Sequence, residues 1–174
     1  MTECYRVCDT RYPFLWADDS QPPGRWHGPG EGPCHYLSTT PKGAWAEVLR
    51  HEGIRDAADV AGIEAASWET EVAAPAVAPV LDPAVLIGDE SSYPTCRREA
   101  RRIRAGGHDS LRAPSAALLS GRAETYGVVG GGQIVAGSVG SETFVFFGPT
   151  GGISAMPLAE GRPDPDVLAD VRHL

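Results

Sequence analysis

No run of the sequence is apolar for the roughly 20 residues that a bilayer span needs. The N-terminus, Met1-Thr-Glu-Cys-Tyr-Arg6, has no basic-then-apolar leader pattern. The expectation is a cytoplasmic protein with no membrane partner. Cations are scarce: 15 Lys and Arg stand against 23 Asp and Glu, a net charge of −8. Such a chain repels a polyanion, which argues against nucleic acid, whereas a small nucleotide needs only a local cationic pocket. No pair of cysteines forms C-x-x-C. Cys4, Cys8 and Cys34 with His35 match no standard zinc spacing, so no metal is expected and the four cysteines are read as reduced thiols. No Gly-x-Gly-x-x-Gly follows a strand and opens a helix. Gly130-Gly131-Gly132 has no lysine of a phosphate-binding loop, and there is no Gly-x-Ser-x-Gly elbow.

What remains is an ordinary globular composition, 42% hydrophobic and 22% charged over 174 residues. That length suits one domain, residues 1–174, which buries about 70% of its unfolded surface. The 21 glycines and 15 prolines predict many irregular connections and a mixed fold rather than a helical bundle.

Along the chain, residues 3–8 alternate as a first strand, with Arg6 on the face opposite Tyr5 and Val7. Residues 9–33 form a long loop, and Tyr12, Phe14 and Trp16 favour a packed one. A short strand over 33–38 leads to a helix over 41–52, with Thr39 or Thr40 as cap, Pro41 at its first position and Gly53 as stop. Ala44, Trp45, Val48 and Leu49 make its apolar stripe. Strands are expected over 65–72 and 76–81, joined by a turn at 73–75, then a helical turn from Asp82-Pro83. A second helix covers 93–105 and carries five arginines. A strand over 108–113 and a helical turn from Pro114-Ser115 follow. The glycine-rich 121–140 reads as a flexible loop or irregular hairpin. A hydrophobic strand over 143–147 pairs with 153–158, and 166–171 is a terminal helix. The fold class is α+β, with one mixed central sheet and flanking helices.

Four residues draw attention, and each has a plain structural alternative. Arg25, on a glycine-bordered loop, presents a fork suited to phosphate oxygens, or stacks on Trp26 or Trp16. Glu47 lines a cleft, or makes a solvated helix pair with Arg50 or His51. Tyr36 faces a cleft, or buries a bonded hydroxyl. Ser115 lines a site, or caps a short helix.

Taken together, Gly24-Arg-Trp-His27, Tyr36-Leu-Ser38 and Ala44-Trp-Ala-Glu-Val-Leu-Arg-His51 resemble the RES-domain family, toxins of bacterial toxin–antitoxin pairs. The family's Gly-Arg-Trp-Asn has His27 in place of asparagine here. Cys4-Tyr-Arg6, Leu81-Asp-Pro83, Leu111-Arg-Ala-Pro-Ser115 and Phe144–Pro149 extend the resemblance over nearly the whole chain. The resemblance implies a fold similar to ADP-ribosyltransferases and degradation of NAD+. Arg25 would grip or position the dinucleotide and Arg6 would add a second cation. Tyr36 would pack on the nicotinamide–ribose end. Glu47 would stabilise the cation formed as nicotinamide leaves, and Ser115 would hydrogen-bond the nicotinamide amide or ribose. It also implies a cognate antitoxin and no cofactor, NAD+ being the substrate. Two alternatives stay open: ADP-ribosyl transfer to a protein or small acceptor, and a non-catalytic nucleotide-binding module.

Overall fold

A computed structural model of the chain describes residues 2–15, 18, 20–72, 76–130, 132–149 and 153–174. Along them run β1 (Thr2–Asp9), β2 (Cys34–Ser38), α1 (Pro41–His51), α2 (Ala57–Val60) and β3 (Ala65–Val72). Then come α3 (Pro83–Leu86), α4 (Tyr93–Ala105), β4 (Ser110–Pro114), β5 (Ala123–Val129), β6 (Gly132–Val139), β7 (Glu142–Phe147) and β8 (Ala155–Gly161). Six strands form one antiparallel sheet in the order β4-β7-β2-β1-β3-β8, and β5 and β6 form a separate hairpin. This is the expected α+β architecture. No helix among the described residues is long and apolar enough to cross a membrane.

The sheet buries both faces. On one, Leu111, Ala113, Val145 and Cys34 pack against Cys96, Ala100 and Ile103 of α4. On the other, Cys4, Leu37, Phe144 and Phe146 are covered by Phe14 and Leu15 from the long loop after β1. Phe14 thus packs the loop as expected, whereas Tyr12 is exposed and Trp16 lies outside the described residues. A third core forms behind α1, where Ala46 and Leu49 meet Val60, Leu118, Val167 and Val171. Of the predicted stripe on α1, Ala44 and Leu49 are buried, while Trp45 and Val48 are half-buried.

One irregularity in the sheet creates the site. β1 is in register with β3 at eight positions, Thr2 to Asp9, and β2 with β7 at five. β1 and β2 meet at one pair, Tyr5 opposite Ser38. Beyond that pair the two central strands separate, and α1 crosses the gap.

Four expectations need correction. Residues 76–81 are not a strand: Val77 alone bridges Leu111, and Pro79, which has no N–H, interrupts any ladder. The proposed turn at 73–75 lies outside the described residues. The strand near 153–158 is β8, and it pairs with β3 rather than β7 because β7 is already flanked by β2 and β4. No helical turn follows Pro114; Ser115 Oγ instead accepts from the N–H groups of Ala117 and Leu118 across a bend. The terminal helix is a 3-10 helix over Pro165–Asp170, started by the Asp164 carboxylate accepting from Asp166 N. The glycine-rich stretch resolves as the β5–β6 hairpin.

Candidate active site

α1 is anchored at its N-terminus by hydroxyls. Thr40 is the N-cap, its Oγ1 accepting from Gly43 N at 3.1 Å, and Pro41 occupies the first turn. Thr40 Oγ1 donates to Ser141 Oγ at 2.8 Å, and Ser141 Oγ bonds Ser38 Oγ at 2.9 Å. All three hydroxyl residues are buried. They pin the start of α1 to the end of β2 and the approach to β7. Glu47, two turns into the helix, is thereby held over β7.

The Glu47 carboxylate accepts from Thr143 Oγ1 at 3.3 Å and Ser115 Oγ at 3.4 Å, both long contacts. Burial pushes its pKa up. The charges of Arg50 and then Arg25 oppose that rise, as do the two hydroxyls.

Arg25 is nearly buried, at 7% exposure. Its Nη1 donates to Ser92 Oγ at 2.9 Å and Val85 O at 3.3 Å, and its Nη2 to Gly88 O at 2.6 Å. The guanidinium stacks on Tyr93 at 4.7 Å from the ring centre. It thus ties the loop before β2 to the α3–α4 connection, instead of stacking on Trp26. Arg97 Nε reinforces the same loop by donating to Gly24 O at 2.8 Å.

Arg6 has a different situation. Its side chain makes no hydrogen bond among the described residues, and its Nη1 is wholly buried without a partner. Burial pushes its pKa down. It lies where β1 and β2 part, so its charge is available to the cleft.

Tyr36 and His27 form a closed network. Pro22 O can only accept, so His27 Nε2 donates to it at 2.9 Å. Nδ1 is then the acceptor, and Tyr36 OH donates to it at 2.9 Å. The same hydroxyl accepts from Trp26 N at 3.1 Å. His27 is 1% exposed, and burial lowers its pKa, which keeps the neutral ring this pattern requires. Gly24 is obligatory beside them: a Cβ there would stand 2.7 Å from Tyr36 Oη.

These groups line a cleft of about 860 Å³ between α1 and the splayed strands, walled by Arg6, Arg25, Tyr36, Glu47, Tyr93 and Thr143 among others. Its volume suits a substantial small-molecule ligand. A second cavity of about 150 Å³ adjoins it and shares Arg25, Glu47, His51 and Tyr93. Of the five residues singled out from sequence, four line the larger cleft. Ser115 does not line it, and reaches the site through the Glu47 carboxylate.

Sequence reasoning missed Thr143, Tyr93 and Arg50. Thr143 carried a signal, a hydroxyl opening an otherwise apolar strand. Arg50 carried a misleading one, because its spacing from Glu47 suits a solvated pair, yet it is 5% exposed. Among the described residues no group of three or more His, Cys, Asp or Glu side chains is placed to hold a metal. The four cysteines are free thiols.

Comparison with curated proteins gives no match. Among solved structures, the chain is similar to one in the crystal structure of the M. tuberculosis MbcT–MbcA toxin–antitoxin complex. The TM-score is 0.64 at 15% identity, covering 97% of this chain and 87% of that one, a likeness of fold. The family model of the RES domain matches residues 3–129, most of the chain, and includes Arg6, Arg25, Tyr36, Glu47 and Ser115. Arg25 and Glu47 line one cleft, Ser115 reaches it through the Glu47 carboxylate, and the chain belongs to the RES-domain family.

Proposed function

We propose that this protein is the toxin of a toxin–antitoxin pair, and that it degrades NAD+ in the cytoplasm by cleaving the bond between nicotinamide and ribose. The observation that carries the reading is a half-buried carboxylate, Glu47, held by two hydroxyls in a cleft that also contains Arg6, whose buried Nη1 has no partner.

Nicotinamide leaves as a neutral molecule from a cationic ring, so the departure needs no strong general acid. The ribose carbon acquires oxocarbenium character, which a carboxylate in a site of low dielectric stabilises. Glu47 fills that role, with Ser115 and Thr143 both donating to its Oε1. Arg6 supplies the cation for the pyrophosphate. Arg25 uses both terminal nitrogens within the protein, so it positions the cleft wall and contributes charge. Tyr36, fixed by His27 and Trp26, offers its ring to the nicotinamide–ribose end. The acceptor is water, giving a glycohydrolase, or phosphate, giving a phosphorylase.

The partner follows from the same reading: a cognate antitoxin that occludes the cleft, as suggested by the structural neighbour having been solved in a toxin–antitoxin complex. The test is loss of NAD+ on incubation with purified protein, abolished by Arg6→Ala or Glu47→Gln. Labelled NAD+ distinguishes the acceptors: free ADP-ribose marks hydrolysis, and its 1-phosphate marks phosphorolysis. Label on a macromolecule marks transfer. Undiminished NAD+ with folded protein refutes the proposal.

A further inference from the structure

Arg50 sits on the far side of Glu47 from the main cleft. It is 5% exposed. Its Nη1 donates to Ala116 O and, at 3.0 Å, to Arg172 O, and its Nη2 donates to Gly88 O at 2.8 Å. The three carbonyls belong to three separate segments: the bend after β4, the C-terminal stretch, and the α3–α4 connection. Gly88 O is also the carbonyl that Arg25 Nη2 binds. Arg172 braces the same bend, its Nη1 donating to Ser115 O at 3.3 Å and Ala116 O at 3.0 Å.

None of the acceptors of Arg50 is a carboxylate. A buried guanidinium satisfied only by carbonyls retains its full charge, and such a charge is costly unless an anion lies near. The anion on its own helix, one turn earlier, is Glu47, and both line the 150 Å³ cavity.

We propose that Arg50 is a positioning residue for the reaction. It fixes the Ser115 bend against the Glu47 carboxylate and forms the cationic wall behind that carboxylate. The proposal rests on the functional reading above for its catalytic consequence, but its effect on Glu47 is independent of any substrate. Arg50 is the foremost charge opposing the burial-driven rise in the Glu47 pKa, ahead of Arg25. Arg25, His51 and Tyr93 share both cavities with Glu47, and Glu90 shares the smaller. Arg6, Tyr5, Tyr36, Glu52 and Glu64 share the larger, and Arg172 stands behind the Ser115 bend.

The test compares wild type, Arg50→Lys and Arg50→Met by two measurements. One follows the Glu47 carboxyl titration by NMR in carbon-13-glutamate-labelled protein, its signal assigned by Glu47→Gln. The other records kcat and KM for NAD+ across pH. Arg50→Met should raise the Glu47 titration midpoint and move the acid limb of activity to higher pH. It should lower kcat about 10- to 100-fold, the scale of a misplaced catalytic group, with KM changed less than about threefold. Arg50→Lys keeps the charge without the fork, so it should restore the titration but only part of kcat. Should Arg50→Met not fold, Arg50→Lys decides: it must lower kcat while leaving the titration near wild type. A folded Arg50→Met protein with an unchanged Glu47 titration overturns the proposal. If wild type does not consume NAD+, the functional reading fails and the NMR titration still decides the role of Arg50.

Discussion

Replacing Tyr36 with phenylalanine removes one oxygen and leaves the ring. That oxygen accepts from Trp26 N and donates to His27 Nδ1, so two polar groups lose their partner at once. Leaving a buried group unsatisfied costs about 1–3 kcal/mol. Tyr36 and His27 both line the cleft, from which water can partly refill the vacated space, so the lower end applies to each. The sum is about 2 kcal/mol. For a domain of this length, 1 kcal/mol moves the Tm by about 2–4 °C, giving a fall of about 4–8 °C. The assay is thermal unfolding of Tyr36→Phe, His27→Ala and the double variant. The double-mutant cycle should return a coupling of about 1 kcal/mol, because the two side chains share one hydrogen bond. An unchanged Tm in Tyr36→Phe, or strictly additive single effects, would refute the network and with it the account of how Tyr36 is held.

Other expectations follow from the same geometry. Gly43→Ala places a methyl among the hydroxyls of Ser38, Thr40 and Ser141, disrupting the α1 cap; unfolding should show a loss of about 2–4 kcal/mol, from cap and overpacking together. Burial raises the Glu47 pKa in the folded state, so the folded protein binds that proton more tightly than the unfolded chain does. The resulting penalty exists above the folded pKa and fades as pH falls towards 4.5, the unfolded value. Glu47→Gln should therefore raise Tm at pH 7, with the gain shrinking as the medium is acidified. His35 has the opposite slope: burial, with the charge of Arg6, holds it down to about 4 from 6.5. The stability from keeping it neutral is full above pH 6.5 and is lost as pH falls to about 4, a swing of up to about 3 kcal/mol. His35→Gln should flatten that part of a stability–pH curve measured by denaturant unfolding.

Much of the fold was legible because local signals agreed with the tertiary outcome. β1, β2, α1, β3 and α4 match their predicted extents closely, and β2, α1 and α4 are each bounded by a cap, a glycine or a proline that acts locally. What failed depended on partners. Residues 76–81 read as a strand, but Pro79 allows only a bridge from Val77 to Leu111. The β8 strand was visible, but nothing local states that β7 has both edges occupied while β3 has one open. At the site, Arg6, Arg25, Tyr36 and Glu47 were readable as polar residues at marked positions. Their division of labour was not. Whether an arginine is spent on carbonyls, as Arg25 is, or left unpartnered, as Arg6 is, depends on the α3–α4 connection more than 60 residues away. His27 likewise reads as a departure from the family's asparagine. The folded chain accommodates it with both ring nitrogens bonded.

In the proposed reaction Glu47 is the group that makes nicotinamide leave. The direct measurement is release of nicotinamide from NAD+ by purified wild-type protein and by Glu47→Gln, with NAD+ binding by both followed calorimetrically. Release by wild type, and binding without release by the variant, are the expected results. Equal release by the two proteins, or binding by wild type without any release, would contradict that role.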